Sequence, residues 1–160
     1  MRFAPFAVLA SAALFAGLHT GCAGRAELIP NSDPALRKTA AEFAADAAKR
    51  HPYKADAPSG GQAKATAEIG YVLDRIDLLN TANTDFTDVE VWINQDYVVF
   101  LPTLPAKKIV GIPFQAIYND AGGSFPTSNG KLFNREPVLV NKIEIVQDGK
   151  RFDVPFNQAR

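Results

Sequence analysis

The sequence predicts a mainly β fold, an immunoglobulin-like β-sandwich preceded by one amphipathic α-helix. Three observations predict it. From residue 66 onward the apolar residues repeat with period two. Turn-forming clusters break that pattern every 8–12 residues, the spacing of short strands. Between residues 34 and 50 the apolar residues follow helical spacing instead. A small open barrel would satisfy the same strand pattern.

Composition narrows the class of protein. Of the 160 residues, 47% are hydrophobic, and 17 Lys and Arg face 17 Asp and Glu. Such a chain has enough apolar mass to bury a core and is not of the disordered type. It lacks the basic excess of a nucleic-acid binder, so no nucleic-acid partner is expected. The single cysteine, Cys22, excludes an intramolecular disulfide framework and a Cys-rich zinc site.

The N-terminus carries an address. Met1-Arg2 is a short positive region, and residues 3–18 are uncharged and apolar. That stretch falls short of the roughly 18 or more residues of a spanning helix. With the small-residue segment Thr20-Gly21-Cys22-Ala23-Gly24 after it, residues 1–21 read as a bacterial export signal. The segment from Leu18 to Cys22 resembles a lipoprotein signal. Gly21 fits directly before the cysteine; His19 stands where an aliphatic residue is usual, with Leu18 one position early. The resemblance implies that Cys22 is acylated and becomes the new N-terminus, with enough chains for stable anchoring. The alternative is ordinary cleavage, for example after Ala23, which would release the protein without its cysteine.

Residues 22–65 read as a lipid-anchored tether carrying the helix and a linker. Asp33 suits an N-cap and Pro34 the first helical position. Leu36, Ala40, Phe43, Ala44 and Ala47 form one narrow stripe. Lys49 and Arg50 suit the negative end of the helix dipole, and Pro52 stops the helix. The expected helix is 34–50. Residues 54–65 show no periodicity and read as a flexible linker.

The sandwich is expected over 66–157. Ile69, Tyr71 and Leu73 alternate, then Ile76 and Leu78 resume in the opposite phase. That slip near Asp74-Arg75 means a bulge or two consecutive strands. Val89, Val91 and Ile93 alternate with Glu90 and Trp92, and Asn94-Gln95-Asp96 turns the chain into a strand at 97–101. Residues 109–118 read as a strand whose Pro113 is easiest at an edge. Residues 124–136 read as a long polar loop. The strands at 138–146 and 152–156 flank Asp148-Gly149, a type I′ hairpin signal.

Residues 97–101 are apolar on both faces, and Trp92 opposes three aliphatics on its own strand. Part of the sheet's outer face therefore has a cover. In one reading the cover is the helix. In the other, Trp92 with Tyr97, Phe100 or Tyr118 forms an exposed aromatic patch that binds a partner, glycan or small ligand.

The sequence carries few residues in patterns that support chemistry. His51 is the one histidine after the export signal, and it reads as a surface residue. No serine lies in a nucleophile elbow, and no glycine loop has phosphate-binding spacing. Asp74, Asp77, Asp85, Asp88 and Glu90 cluster in sequence, as glycosidase carboxylates would, but also as a solvated sheet face would. The turn from Asn119 to Ser124 offers oxygens to calcium but lacks the EF-hand repeat. No enzyme activity, cofactor or metal is expected.

Several blocks resemble short, uncharacterised lipoproteins of planctomycete-type bacteria. They run from Glu42 through Tyr53, over Asp74-Arg75-Ile76, from Asp88 through Asn94 with Tyr97-Val98-Val99, and over Asp148-Gly149-Lys150. The resemblance implies export, lipidation and a β-rich domain after a helix. The expected protein is a non-enzymatic envelope lipoprotein, held to a membrane at Cys22 and facing the periplasm. Its sandwich would serve an envelope protein partner or structural support; the alternative is a glycan or small-ligand module.

Overall fold

The computed structural model describes residues 34–127 and 138–159. Over the described residues the chain is mainly β, with two sheets and one α-helix. Cys22 and residues 128–137 lie outside the described residues.

The helix α1 runs Ala40–Arg50. It does not begin at residue 34; Pro34–Leu36 is a 3₁₀ turn that buries Leu36. The reason is the cap. The Thr39 hydroxyl accepts from the Glu42 amide at 3.3 Å, and the Thr39 amide donates to the Glu42 carboxylate at 2.8 Å. This reciprocal capping box satisfies two of the donors that every helix start leaves open. Asp33, the expected cap, lies outside the described residues. At the other end the His51 amide donates to the Ala47 carbonyl at 3.1 Å, and Pro52 ends the helix.

The strands are β1 (Ser59–Gln62), β2 (Ala65–Gly70), β3 (Arg75–Asn80), β4 (Phe86–Ile93) and β5 (Tyr97–Leu104). Then come β6 (Ile109–Pro113), β7 (Ile143–Gln147), β8 (Lys150–Asp153) and β9 (Phe156–Ala159). One sheet has the order β1-β8-β7-β4-β5 and the other β6-β3-β2-β9. A single buried cluster joins them, with Ile69, Ile76, Leu78 and Ile112 from the second sheet and Val89, Val91, Val99 and Ile145 from the first.

Several expectations need correction. The segment 54–65 is not a free linker, and the β region does not begin at 66. β1 pairs in parallel with β8, and its neighbours are tied down by Arg151 amide to Pro58 carbonyl (2.9 Å) and Ala63 amide to Asp153 carbonyl (2.8 Å). All four β1 residues are exposed and none has an apolar side chain, so this strand carries no apolar alternation to read. The strand expected at 109–118 stops at Pro113, where Phe114–Ala116 makes a 3₁₀ turn; Pro113 does sit on an edge strand. The regular part of 138–146 starts at Ile143, and 152–156 splits into β8 and β9 at Val154-Pro155.

Two local signals hold. The phase slip at Asp74-Arg75 marks two strands, β2 and β3, joined by a tight turn with Asp74 at φ +50°. The β7–β8 hairpin places Asp148 at φ +49° and Gly149 at φ +71°, the positive values that a type I′ turn requires.

The corner between the sheets has a simple construction. β1 continues into β2 and β8 continues into β9, and both segments change sheet side by side. Parallel pairing holds on each side of the corner, so the two segments stay paired with each other through the change of sheet, with β1 at the edge of one sheet and β9 at the edge of the other.

Asn80 fixes the opposite connection. It is fully buried, donates to the carbonyls of Thr84 and Leu104 at 2.9 Å each, and accepts from the Ala82 amide at 2.8 Å. Asn80→Leu would strand buried backbone groups, and each such group costs about 1–3 kcal/mol. The expected outcome is a fall of roughly 2 kcal/mol or more in urea-unfolding stability. A change within experimental error would show that this turn is held by something else.

Candidate functional site: the covered face of the five-stranded sheet

Residues directly opposite in an antiparallel pair share a face. Trp92 lies opposite Val98 and Glu144, and Glu90 lies opposite Phe100 and Val146. Those six residues therefore form one outer face, turned away from the shared core. Four are aliphatic or aromatic, with Trp92 the largest, and two are acids. Such a face needs a cover.

The helix supplies part of it. Phe43 and Ala47 on α1 are buried, and Phe43 stacks on Tyr118 at 6.4 Å. Tyr118 extends the sheet edge by a bridge to Val98. The Arg50 guanidinium lies 3.8 Å above the Phe100 ring. Lys38 sits near the same ring and pairs with Asp46, holding the 3₁₀ turn against the helix.

The segment after the helix completes the cover. His51 and Tyr53 both meet Trp92 edge-on, at 5.0 and 5.2 Å between ring centres. Trp92 is fully buried as a result. Its indole nitrogen donates to Glu90 Oε2 at 3.1 Å, and Glu90 Oε1 takes Lys54 at 3.1 Å and Arg50 at 3.6 Å. A buried carboxylate is tolerated when paired and hydrogen-bonded in this way.

Glu144 anchors the second half. Its Oε2 accepts from the Tyr53 hydroxyl at 2.7 Å and from Gln95 at 3.2 Å; its Oε1 accepts from Lys142 at 2.9 Å. The Tyr53 hydroxyl in turn accepts from Arg151 at 2.8 Å. Burial pushes the Glu144 carboxyl up, but the hydrogen bonds from Tyr53, Lys142 and Gln95 outweigh it and hold the group below its ordinary value. Burial, with the bond donated to Glu144, raises the Tyr53 phenol. The bond to Glu144 raises the Lys142 ammonium, against a smaller opposing effect of burial.

The four aromatic candidates do not form one exposed patch. Trp92 is sealed, Tyr118 is buried under Phe43, and Phe100 is half-buried under Arg50. Tyr97 lies opposite Ile93, so it falls on the other face of the sheet, where its ring packs on Phe125 at 5.1 Å. The cover reading of the outer face is the one realised. His51 is likewise not a free surface residue; its ring packs on Trp92.

The remaining candidates are dispersed. Asp77 pairs with Arg75, Asp85 caps the Ala106 amide at 2.7 Å, and Glu90 belongs to the tryptophan cover. Asn119 uses its side-chain oxygen on the Gly123 amide at 2.8 Å, closing its own turn. Among the described residues no group of three or more His, Cys, Asp or Glu is placed to hold a metal ion. An open cleft of about 450 Å³ runs beside the 49–57 segment, lined by Lys49, Arg50, His51, Tyr53 and Lys54. Arg50 and Lys54 already neutralise Glu90 there, and Lys49 lies 3.8 Å from Asp46.

Sequence reasoning missed Glu144, Tyr53, Gln95 and Arg151. One signal for Glu144 was present: a lone acid inside the apolar run Ile143-Glu144-Ile145-Val146. The others are joined to it only by pairing register and by the docking of the 51–57 segment.

No family model matches the chain, no curated protein matches it, and no solved structure matches its fold.

Two outcomes test this site. Trp92→Ala should cost about 3–5 kcal/mol of stability, measured from urea midpoints; a loss under about 1 kcal/mol would mean that the ring is not sealed. Glu144 sets an acid limit. Its folded pKa lies below the unfolded value of 4.5, so its contribution is complete above that value and is lost as pH falls through the folded one. Glu144→Gln should lower stability at neutral pH and flatten the acid limb below about pH 5. Parallel acid limbs in the two proteins would refute the assignment.

Proposed function

We propose that the chain is a non-enzymatic lipoprotein of a bacterial envelope, anchored by an acylated Cys22 and facing the periplasm. The observation that carries this reading is the uncharged stretch 3–18 closing on Gly21-Cys22. The resemblance to short planctomycete-type lipoproteins points the same way. No described helix is long and apolar enough to cross a membrane; the anchor in this reading is the lipid on Cys22. Residues 23–33 reach at most about 40 Å fully extended, which keeps the β domain close to the bilayer.

In this reading the two sheets form an immunoglobulin-like sandwich that meets an envelope protein or supports the envelope structurally. The five-stranded sheet already has its cover, so a partner would use the four-stranded one. Thr66, Glu68, Asp77 and Leu79 form its outward row by alternation, and Ile109, opposite Leu79 at the edge, is 65% exposed. A glycan or ligand module built on surface aromatics is less favoured, because Trp92 and Tyr118 are buried.

Intact-mass analysis of protein extracted from its native membranes tests the anchor. A mature N-terminus at Cys22 carrying acyl chains is expected, with Cys22→Ala shifting the protein to the soluble fraction. An unmodified, soluble chain lacking Cys22 would overturn the proposal. Cross-linking on the same membranes should recover one reproducible envelope protein.

A further inference from the structure

Beside the corner between the sheets a cleft of about 270 Å³ opens toward the shared core. Its apolar lining includes Phe86, Ile145 and Phe152, and Ile145 is nearly fully buried. One wall is backbone. A Cβ placed on Gly60 would come within 2.1 Å of the Phe152 ring, so the ring lies flat against β1 only because residue 60 is glycine. Gln62 and Lys64 also line the cleft. Lys64 is exposed and makes no ion pair among the described residues.

We propose that this cleft is a binding site for a small amphiphilic carboxylate, with its alkyl chain between Phe86, Ile145 and Phe152 and its carboxylate at Lys64. The volume sets the size. At about 30 Å³ per water-sized unit, the cleft holds a ligand of roughly ten non-hydrogen atoms, such as a medium-chain fatty acid. An apolar cavity with a few polar groups at its mouth is the usual form of a small-molecule site. The charge at the rim selects an acid over the matching alcohol, because only the acid gains from the ammonium. The site lies apart from Trp92 and does not depend on the lipid anchor.

Octanoate is the probe, titrated into the ¹⁵N-labelled full-length chain carrying Cys22→Ala, with octanol as the neutral control. The expected result is saturable amide shifts at Gly60, Gln62, Lys64, Ile145 and Phe152, with Kd of roughly 1 mM or tighter. Octanol should bind several-fold more weakly. Lys64→Gln, an exposed change that leaves the fold intact, should erase that difference. Gly60→Ala should drive the Phe152 ring into the cleft and weaken octanoate about tenfold or more. Absent or scattered shifts, equal binding of acid and alcohol, or an acid preference that survives Lys64→Gln would each overturn the proposal. Loss of the anchor at Cys22 would leave these results unchanged, so the two readings fail separately.

Discussion

The arrangement depends on keeping Trp92 dry on the outer face of a sheet. A strand that shares a core on one side normally turns polar residues outward. Here the outward position opposite Val98 holds the largest fully buried side chain among the described residues. Burying an aromatic of this size is worth several kcal/mol, but the sheet cannot bury it alone. The helix, the 3₁₀ turn and the 51–57 segment supply the missing layer. Each has a specific attachment: Phe43 on Tyr118, Arg50 on Phe100, and His51 and Tyr53 on Trp92.

The same cover brings two carboxylates out of water. Glu90 and Glu144 flank Trp92 in register, and each would be costly if left unpaired. The covering segment brings the compensation with it, because Arg50, Tyr53 and Lys54 all reach these acids. Apolar and polar contacts therefore reinforce one another. If the segment detached, both acids and the indole would meet water together. Arg151 ties this layer to β8, since its side chain donates to the Tyr53 hydroxyl and to the Ala57 carbonyl at 2.9 Å. These contacts tie the helix and the segment after it to the five-stranded sheet.

Local patterns survived where local chemistry decides. The alternation at Val89, Val91 and Ile93 set the inner face of β4, and Asp148-Gly149 set the β7–β8 turn through the φ values those residues tolerate. The helix was readable from its stripe, but its start was misplaced. Asp33-Pro34 is a good cap in isolation; Thr39 with Glu42 forms two reciprocal bonds and starts the α-helix there. β1 was not readable at all. Ser59–Gln62 has no apolar side chain to alternate, and its order comes from β8 backbone groups far away in sequence.

The sequence by itself determined the β-rich class, the strand faces, the tight hairpin and the need for a cover over Trp92. Periodicity and turn chemistry are properties of neighbouring residues, and they are written locally. Only the tertiary structure decided what the cover is, and that Glu144, Gln95 and Arg151 meet Tyr53 across it. Those contacts join residues separated by 42 to 98 positions. Their formation depends on pairing register and on how the segment after the helix docks, and no local pattern in the chain encodes either.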